Sequence, residues 1–263
     1  MIIYISSLIQ GMSGIEKLAG FISAQRDPDL GIELIAFTHD DAYWARLEAL
    51  MDSLTCPIAF HGPYVGTEAT AAEGSKEHEI FFESYEKVIR LARDYAVSHI
   101  VYHTTQIAWE AETVETARLR SIENTQKIVA MGHAYGVHVL VENLAASAQA
   151  FSLFDNESYE NLFAAHPDWD SVIDVGHAAI NQMDVENFLL HYANRVKAYH
   201  FHNNNGLNNL HNSIDNGMID YQKFAGLYKK YTPQTSITLE YEPHVRFNSQ
   251  QLLDQVAWVR MNF

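Results

Sequence analysis

The sequence predicts one α/β domain over residues 1–263, folded as a (β/α)8 TIM barrel, and three observations predict it. The chain has 263 residues, close to the roughly 250 that eight strand–helix units need. Eight short apolar runs alternate with longer stretches of helical periodicity. The polar residues inside those runs gather toward their C-terminal ends, which is where the reactive groups of such a barrel converge.

The runs are IIYI (2–5), IELIAF (32–37), IAFHGPY (58–64), HIVYHTT (99–105), VHVLVENL (137–144), SVIDVGHA (171–178), VKAYHFHN (196–203) and SITLEYEP (236–243). Their β-branched and aromatic content favours strands, and several are apolar almost throughout, as a strand covered on both faces must be. Between them, 79–96 sets Ile80, Tyr85, Val88, Ile89 and Ala92 along one helical stripe, and 115–135 does so with Leu119, Ile122, Gln126 and Val129. Gly136 stops the second of these helices. Asp184 is placed to cap VENFLLHYANRV, Asp220 and Tyr221 open QKFAGLYKK, and a helix over 251–260 closes the chain. A doubly wound open sheet would carry a glycine-rich nucleotide loop after its first strand. SSLIQGMSG is not such a loop, and no linker divides the chain.

Composition narrows the function. Apolar residues make up 48% of the chain, enough for a core, and the formal net charge is -16. That charge, with no cluster of Lys or Arg, makes nucleic acid an unexpected partner. Cys56 is the sole cysteine, which rules out an intrachain disulfide or a cysteine zinc knuckle and fits a cytoplasmic setting. The start MIIYISSLIQG lacks a basic signal region, and no run of 18 apolar residues occurs, so neither export nor a membrane span is expected. A homo-oligomer is compatible with a barrel of this size, though no face for it is marked.

The strand ends carry His61, His103, Glu142, Asp174, His177, His200, His202, Glu240 and Glu242. A buried carboxylate costs several kcal/mol unless it is paired or binds a metal. Glu, Asp, His and Glu on four adjacent strands therefore read as a divalent-metal site. His202 shares a strand face with His200 and is a candidate to orient it or the substrate. His61 and His103 divide evenly between metal ligand and rim residue. A strand histidine by itself is ordinarily a satisfied core or rim side chain, and His99, His138, His166, His191 and His244 are read that way. Trp109 is a candidate to stack on an apolar ligand face and equally a helix-packing residue. Arg246 is the one candidate anion contact among strand-end loops otherwise poor in Lys and Arg, which favours a neutral ligand. The Asn-rich stretch 203–212 suits hydroxyl recognition as well as turn formation.

VEN (141–143), DVGH (174–177), HFHN (200–203), HNSIDNGMID (211–220) and LEYEP (239–243) together resemble the xylose-isomerase-like superfamily. This group holds sugar isomerases, ketose 3-epimerases and the endonuclease IV type of abasic-site nucleases (AP endonuclease family 2), and the resemblance spans essentially the whole chain. It implies that Glu142, Asp174, His200 and Glu240 hold one Mn2+ or Mg2+, or Zn2+ as in some relatives. It implies that His177 contacts a substrate oxygen and that Glu142 and Glu240 are the catalytic acid/base pair on opposite sides of a sugar carbon. Proton removal beside a carbonyl gives an enediolate that a Lewis acid stabilises. Return of the proton to the other face is epimerisation, and its return to the neighbouring carbon is isomerisation.

The nuclease branch implies a different outcome. There, His61 and His103 with a bridging Glu142 would bind a further ion, and His177, Asn209 and His211 a third. Asn209 departs from that pattern, which has an aspartate, and an amide is a poor zinc ligand. The expected function is thus a metal-dependent sugar isomerase or epimerase acting on a small carbohydrate. The alternatives are a two- or three-metal phosphoester hydrolase, a related lyase of the inosose dehydratase type, and a non-catalytic metal-bound barrel.

Overall fold

The computed structural model describes residues 1–111, 113–146, 152–246 and 248–263. Eight parallel strands close into a barrel in chain order. They are β1 (Ile3–Ser6), β2 (Leu30–Ile35), β3 (Ile58–His61), β4 (Ile100–Tyr102), β5 (Val139–Glu142), β6 (Asp170–Asp174), β7 (Val196–Phe201) and β8 (Ser236–Leu239). Closure is made by β1 against β8, with Ile3 opposite Ile237. The surrounding helices are α1 (Ile15–Gln25), α2 (Asp41–Met51), α3 (Lys76–Asp94), α4 (Val114–Tyr135), α5 (Asn156–Ala165), α6 (Val175–Ile180), α7 (Val185–Tyr192), α8 (Tyr221–Tyr231) and α9 (Ser249–Asn262). Among the described residues no helix is long and apolar enough to cross a membrane.

Strand alternation builds two separate apolar layers. Ile5, Ile32, Phe60, Tyr102, Ile173 and Phe201 belong to the large cluster shared with the helices. Val101, Leu140, Val172 and Ala198 form a small cluster of their own in the lumen. Two residues further along each of those strands the same inward face carries His103, Glu142, Asp174 and His200. The step of two that keeps side chains on one face thus sets a polar ring directly above an apolar floor.

Helix ends follow the sequence closely. The side chains of Asp184 and Asp220 cap α7 and α8 by accepting from the backbone N–H of Asn187 and Lys223. Gly136 ends α4 in the left-handed conformation, φ 72. In α3 the expected stripe is buried at Tyr85, Val88, Ile89 and Ala92.

Two expectations are corrected. In α4, Leu119 points outward and is 70% exposed, while Ser121, Asn124, Thr125, Ile128 and Val129 form the buried face. Small polar side chains occupy that face because each has a partner. Ser121 Oγ donates to Thr104 O at 2.8 Å, Asn124 Nδ2 to Ala69 O at 2.8 Å, and Thr125 Oγ1 to Ser121 O at 2.6 Å. A stripe drawn from hydrophobicity alone falls out of phase with them. The strands are also shorter than the apolar runs. His103 and Glu240 lie just past β4 and β8, and His177 stands on α6 rather than on a strand. The chain leaves β6 at Asp174 because that residue's Oδ1 accepts the His177 N–H at 2.6 Å and starts a helix at once.

Candidate metal centre

Four consecutive strands deliver Glu142, Asp174, His200 and Glu240 to one level. Asp174 lies opposite His200 and His200 opposite Thr238 in the strand register. One ligand atom from each of the four residues lies within 4.8 Å of all the others, and all four residues are buried. His200 Nδ1 stands 3.3 Å from Glu142 Oε1, 3.3 Å from Glu240 Oε2 and 3.9 Å from Asp174 Oδ2.

The electrostatics are those of a site built for a cation. Burial acts to raise the carboxyl pKa values, but the neighbouring histidines outweigh it and hold Glu142 and Glu240 well below the usual carboxylate range. His177 and His202 likewise outweigh burial and lower the pKa of Asp174. Burial opposes a charge on His200, yet Glu33, Glu240 and Glu142 push its imidazole well above the ordinary range. Glu142 Oε2, Asp174 Oδ2 and His200 Nδ1 are buried without a hydrogen-bond partner. Leaving such atoms unsatisfied costs about 1–3 kcal/mol each. A divalent ion ligated by three carboxylates and an imidazole removes that cost and the mutual repulsion together, so the residues fit one.

Two further clusters adjoin the first, and one of them shares Glu142 with it. His61, His103 and Glu142 form one, and His177, His202 and His211 the other. His103 Nε2 lies 2.7 Å from Glu142 Oε2, but the two atoms are not aligned as a hydrogen bond. Burial, then the adjacent His103, lowers the pKa of His61. For His103 the Glu142 carboxylate outweighs burial and raises it. His61 Nδ1 is 3.2 Å from Gly62 O, His177 Nδ1 3.0 Å from Asn143 O and His211 Nδ1 3.2 Å from Glu240 O. A carbonyl only accepts, so these three rings carry N–H at Nδ1 and present the Nε2 lone pair. The His177 lone pair meets the Asn209 amide at 2.9 Å.

His202 Nε2 lies 3.1 Å from Asp174 Oδ1, and its ring stacks on His211 with centroids 3.9 Å apart. Gly176 permits this packing, because a Cβ there would sit 2.0 Å from His202 Cε1.

The Asn-rich stretch divides by role. Asn203 Nδ2 donates to Ile214 O and Asn204 Nδ2 to Gly176 O, so both brace the loop. Asn209 lines a cleft of about 360 Å³ beside the centre, together with His103, Gln106, Glu142, Asn143 and His177. Among the described residues no Lys or Arg lines that cleft. Trp109 is not part of the lining. Its indole N–H donates to Thr105 Oγ1 at 3.1 Å, and its ring packs with Val114, Ala117 and Leu153. Arg246 is exposed, with φ 59, on the turn after Pro243–Val245, and it too lies outside the lining. His99, His138, His166, His191 and His244 stand outside the three clusters; burial pushes His99 down to about 4.

Three residues at the site were not singled out in the sequence. Glu33 is fully buried on β2, with Oε2 3.2 Å from His200 Nε2 and 3.0 Å from Thr238 Oγ1. Asn143 ties β5 to β6: its Nδ2 donates to Asp174 O at 2.9 Å, and its Oδ1 accepts from Asp174 N at 2.7 Å. Glu68 braces the loop after β4 by accepting from Thr105 Oγ1 and Gln106 N. For Glu33 and Asn143 the available signal was a polar residue inside an apolar run, IELIAF or LVENL. Glu68 lies in a loop that carried no such signal.

The profile of the family described as xylose isomerase-like TIM barrel matches residues 15–261. Among solved structures, a D-tagatose 3-epimerase-like protein superposes with a TM-score of 0.78 at 18% identity, covering 99% of this chain and 99% of that one. The IOLI protein with a bound zinc atom gives 0.79 at 13% identity over 100% and 99% of the two chains. The D-psicose 3-epimerase of Clostridium cellulolyticum H10, solved with D-tagatose, gives 0.75 at 10% over 100% and 99%. At these identities the likeness is one of fold. No curated protein matches the chain by sequence.

Proposed function

The chain belongs to the xylose isomerase-like TIM-barrel family, and on that premise we propose that it is a divalent-metal-dependent epimerase or isomerase of an unphosphorylated ketose or related polyol. The observation that carries this reading is the convergence of Glu142 and Glu240 on His200 Nδ1, at 3.3 Å each. They come from the two outer members of a four-strand set, which suits them to opposite faces of one sugar carbon. Glu142, Asp174, His200 and Glu240 would hold the ion, Mn2+ or Mg2+ for so oxygen-rich a donor set or Zn2+ as in the IOLI structure, and it would supply a Lewis acid for the carbonyl and neighbouring hydroxyl oxygens.

The chain's own residues do the rest. One of Glu142 and Glu240, as the carboxylate, takes the proton beside the carbonyl, and the other, entering with a proton, delivers it to the same carbon from the far side, so the pair ends with its protonation states exchanged. His177 Nε2, which now accepts from Asn209, accepts from a substrate hydroxyl. His202 faces the other oxygen of Asp174, with Nε2 3.1 Å from Oδ1. A cleft whose described lining includes amides and imidazoles but no Lys or Arg favours a neutral sugar over a sugar phosphate. The net charge of -16 argues against nucleic acid, and the single cysteine fits the cytoplasm.

The deciding experiment incubates the metal-loaded protein in D2O with D-tagatose, D-psicose and L-ribulose and follows deuterium at the carbon next to the carbonyl. Incorporation, with one ion per chain by elemental analysis, supports the reading. Its absence from all three, with two or three zinc ions per chain, overturns it.

That second outcome would favour phosphoester hydrolysis. The specific observation behind this alternative is the cluster of His61, His103 and Glu142, which exceeds what one ion needs. Turnover of a bis(p-nitrophenyl) phosphate ester would establish it.

A further inference from the structure

Beneath the centre, across the lumen from β7, lies the carboxylate of Glu33. It is fully buried and belongs to none of the three ligand clusters. Its Oε2 accepts from His200 Nε2 at 3.2 Å and from Thr238 Oγ1 at 3.0 Å. An imidazole that gives its Nε2–H to a carboxylate has Nδ1 left for a metal. In His200 that atom faces Glu142 and Glu240 at 3.3 Å each and Asp174 at 3.9 Å. The orientation is the reverse of that in His61, His177 and His211, whose Nδ1 atoms face backbone carbonyls. Glu33 is the group behind His200 that reverses it.

The placement is unfavourable for the fold alone. A fourth buried carboxylate beside Glu142, Asp174 and Glu240 adds like charge to a dry site, and Glu33 Oε1 has no hydrogen-bond partner. A carboxylate at this position is accounted for by what it does to His200.

We propose that Glu33 is a positioning residue of the metal centre: it accepts the His200 Nε2–H, fixes Nδ1 as the metal-binding nitrogen, and is itself fixed by Thr238. This rests on the metal reading of Glu142, Asp174, His200 and Glu240.

The test is Mn2+ affinity by titration calorimetry of metal-free wild type, Glu33→Gln and Glu33→Ala, beside thermal unfolding of the same metal-free proteins. Loss of such an outer partner typically weakens metal binding by about 10–100-fold, and that is the effect expected for Glu33→Ala. Glu33→Gln falls between, since its amide oxygen still accepts from Nε2–H. A merely structural role lowers the unfolding temperature of the metal-free variants and leaves the Mn2+ affinity of the folded protein unchanged. Mn2+ affinity of Glu33→Ala within about twofold of wild type overturns the proposal. If Glu33→Ala does not fold, Thr238→Val reports instead, with weaker Mn2+ binding expected and wild-type binding overturning it. Wild type that binds no Mn2+ defeats the metal reading and this proposal together, whereas wild type that binds while the variants match it defeats the proposal alone.

Discussion

Asp174 Oδ1 accepts the backbone N–H of His177 at 2.6 Å, so one carboxylate starts a helix and also turns its unpartnered Oδ2 toward Glu142, His200 and Glu240. The two roles separate by substitution. Asparagine caps a helix about as well as aspartate but is a poor metal ligand. Asp174→Asn should keep metal-free stability close to wild type while Mn2+ binding falls by at least the ~100-fold typical of outer-partner losses. Asp174→Ala should lose the cap as well, at a further cost of about 1 kcal/mol. Denaturant melts beside calorimetric titration measure both. Equal Mn2+ affinity of wild type and Asp174→Asn would remove Asp174 from the ligand set.

The acid/base pair is testable by labelling. Removing a positioned proton-transfer group lowers a rate by about 10²–10⁴-fold. Glu142→Gln and Glu240→Gln should each abolish epimerisation on that scale. In one of the two, deuterium should still enter the sugar, because the remaining carboxylate can remove and return a proton on its own face. Both residues are also proposed ligands, so metal content is measured alongside. Full epimerisation by either metal-loaded variant would contradict the two-base scheme.

Metal binding should release protons. The His200 imidazole is held above its ordinary range by Glu33, Glu240 and Glu142, which outweigh the opposing effect of burial, and this favours a second proton on it in the metal-free protein. An ion must displace that proton, and affinity should rise with pH through the folded pKa of His200. The stability contributed by this raised group is complete below its unfolded pKa and is lost as pH rises through the folded value. Glu142 and Glu240, depressed in the fold, contribute in the opposite sense: present above their unfolded pKa and lost as pH falls through the folded one. Calorimetry in two buffers of different ionisation enthalpy counts the protons, and about one per ion is expected at pH 7. None released would mean that His200 is neutral before the ion arrives.

Gly176 is sensitive for a geometric reason. The Cβ of Gly176→Ala would fall 2.0 Å from His202 Cε1, forcing the ring off both Asp174 and His211. Overpacking of this kind costs about 1–3 kcal/mol. A denaturant melt of the metal-free protein should show that loss, and a variant as stable as wild type would mean that the His202 ring is free to move.

The barrel and the four-residue cluster were legible in the sequence because each strand contributes a polar residue to an otherwise apolar run, two positions beyond a lumen residue such as Leu140 or Val172. Strand ends were less legible. β6 stops at Asp174 through a side-chain hydrogen bond that hydropathy does not register. The face of α4 was misjudged because Ser121, Asn124 and Thr125 have partners on other elements or on the helix backbone. Glu33 escaped notice for a related reason: its partner His200 is 167 residues away across the lumen, and no periodicity within one strand reveals a pairing made by closure.

The alternation of the lumen also bears on how the barrel is assembled. A one-residue slip along β6 or β7 would not weaken a ligand but replace it, presenting Ile173 where Asp174 stands or Tyr199 where His200 stands. An ion at this centre therefore binds only the chain in which four strands are simultaneously in phase. Its binding energy would discriminate against every mispaired closure, making a bound metal an inspector of the finished barrel.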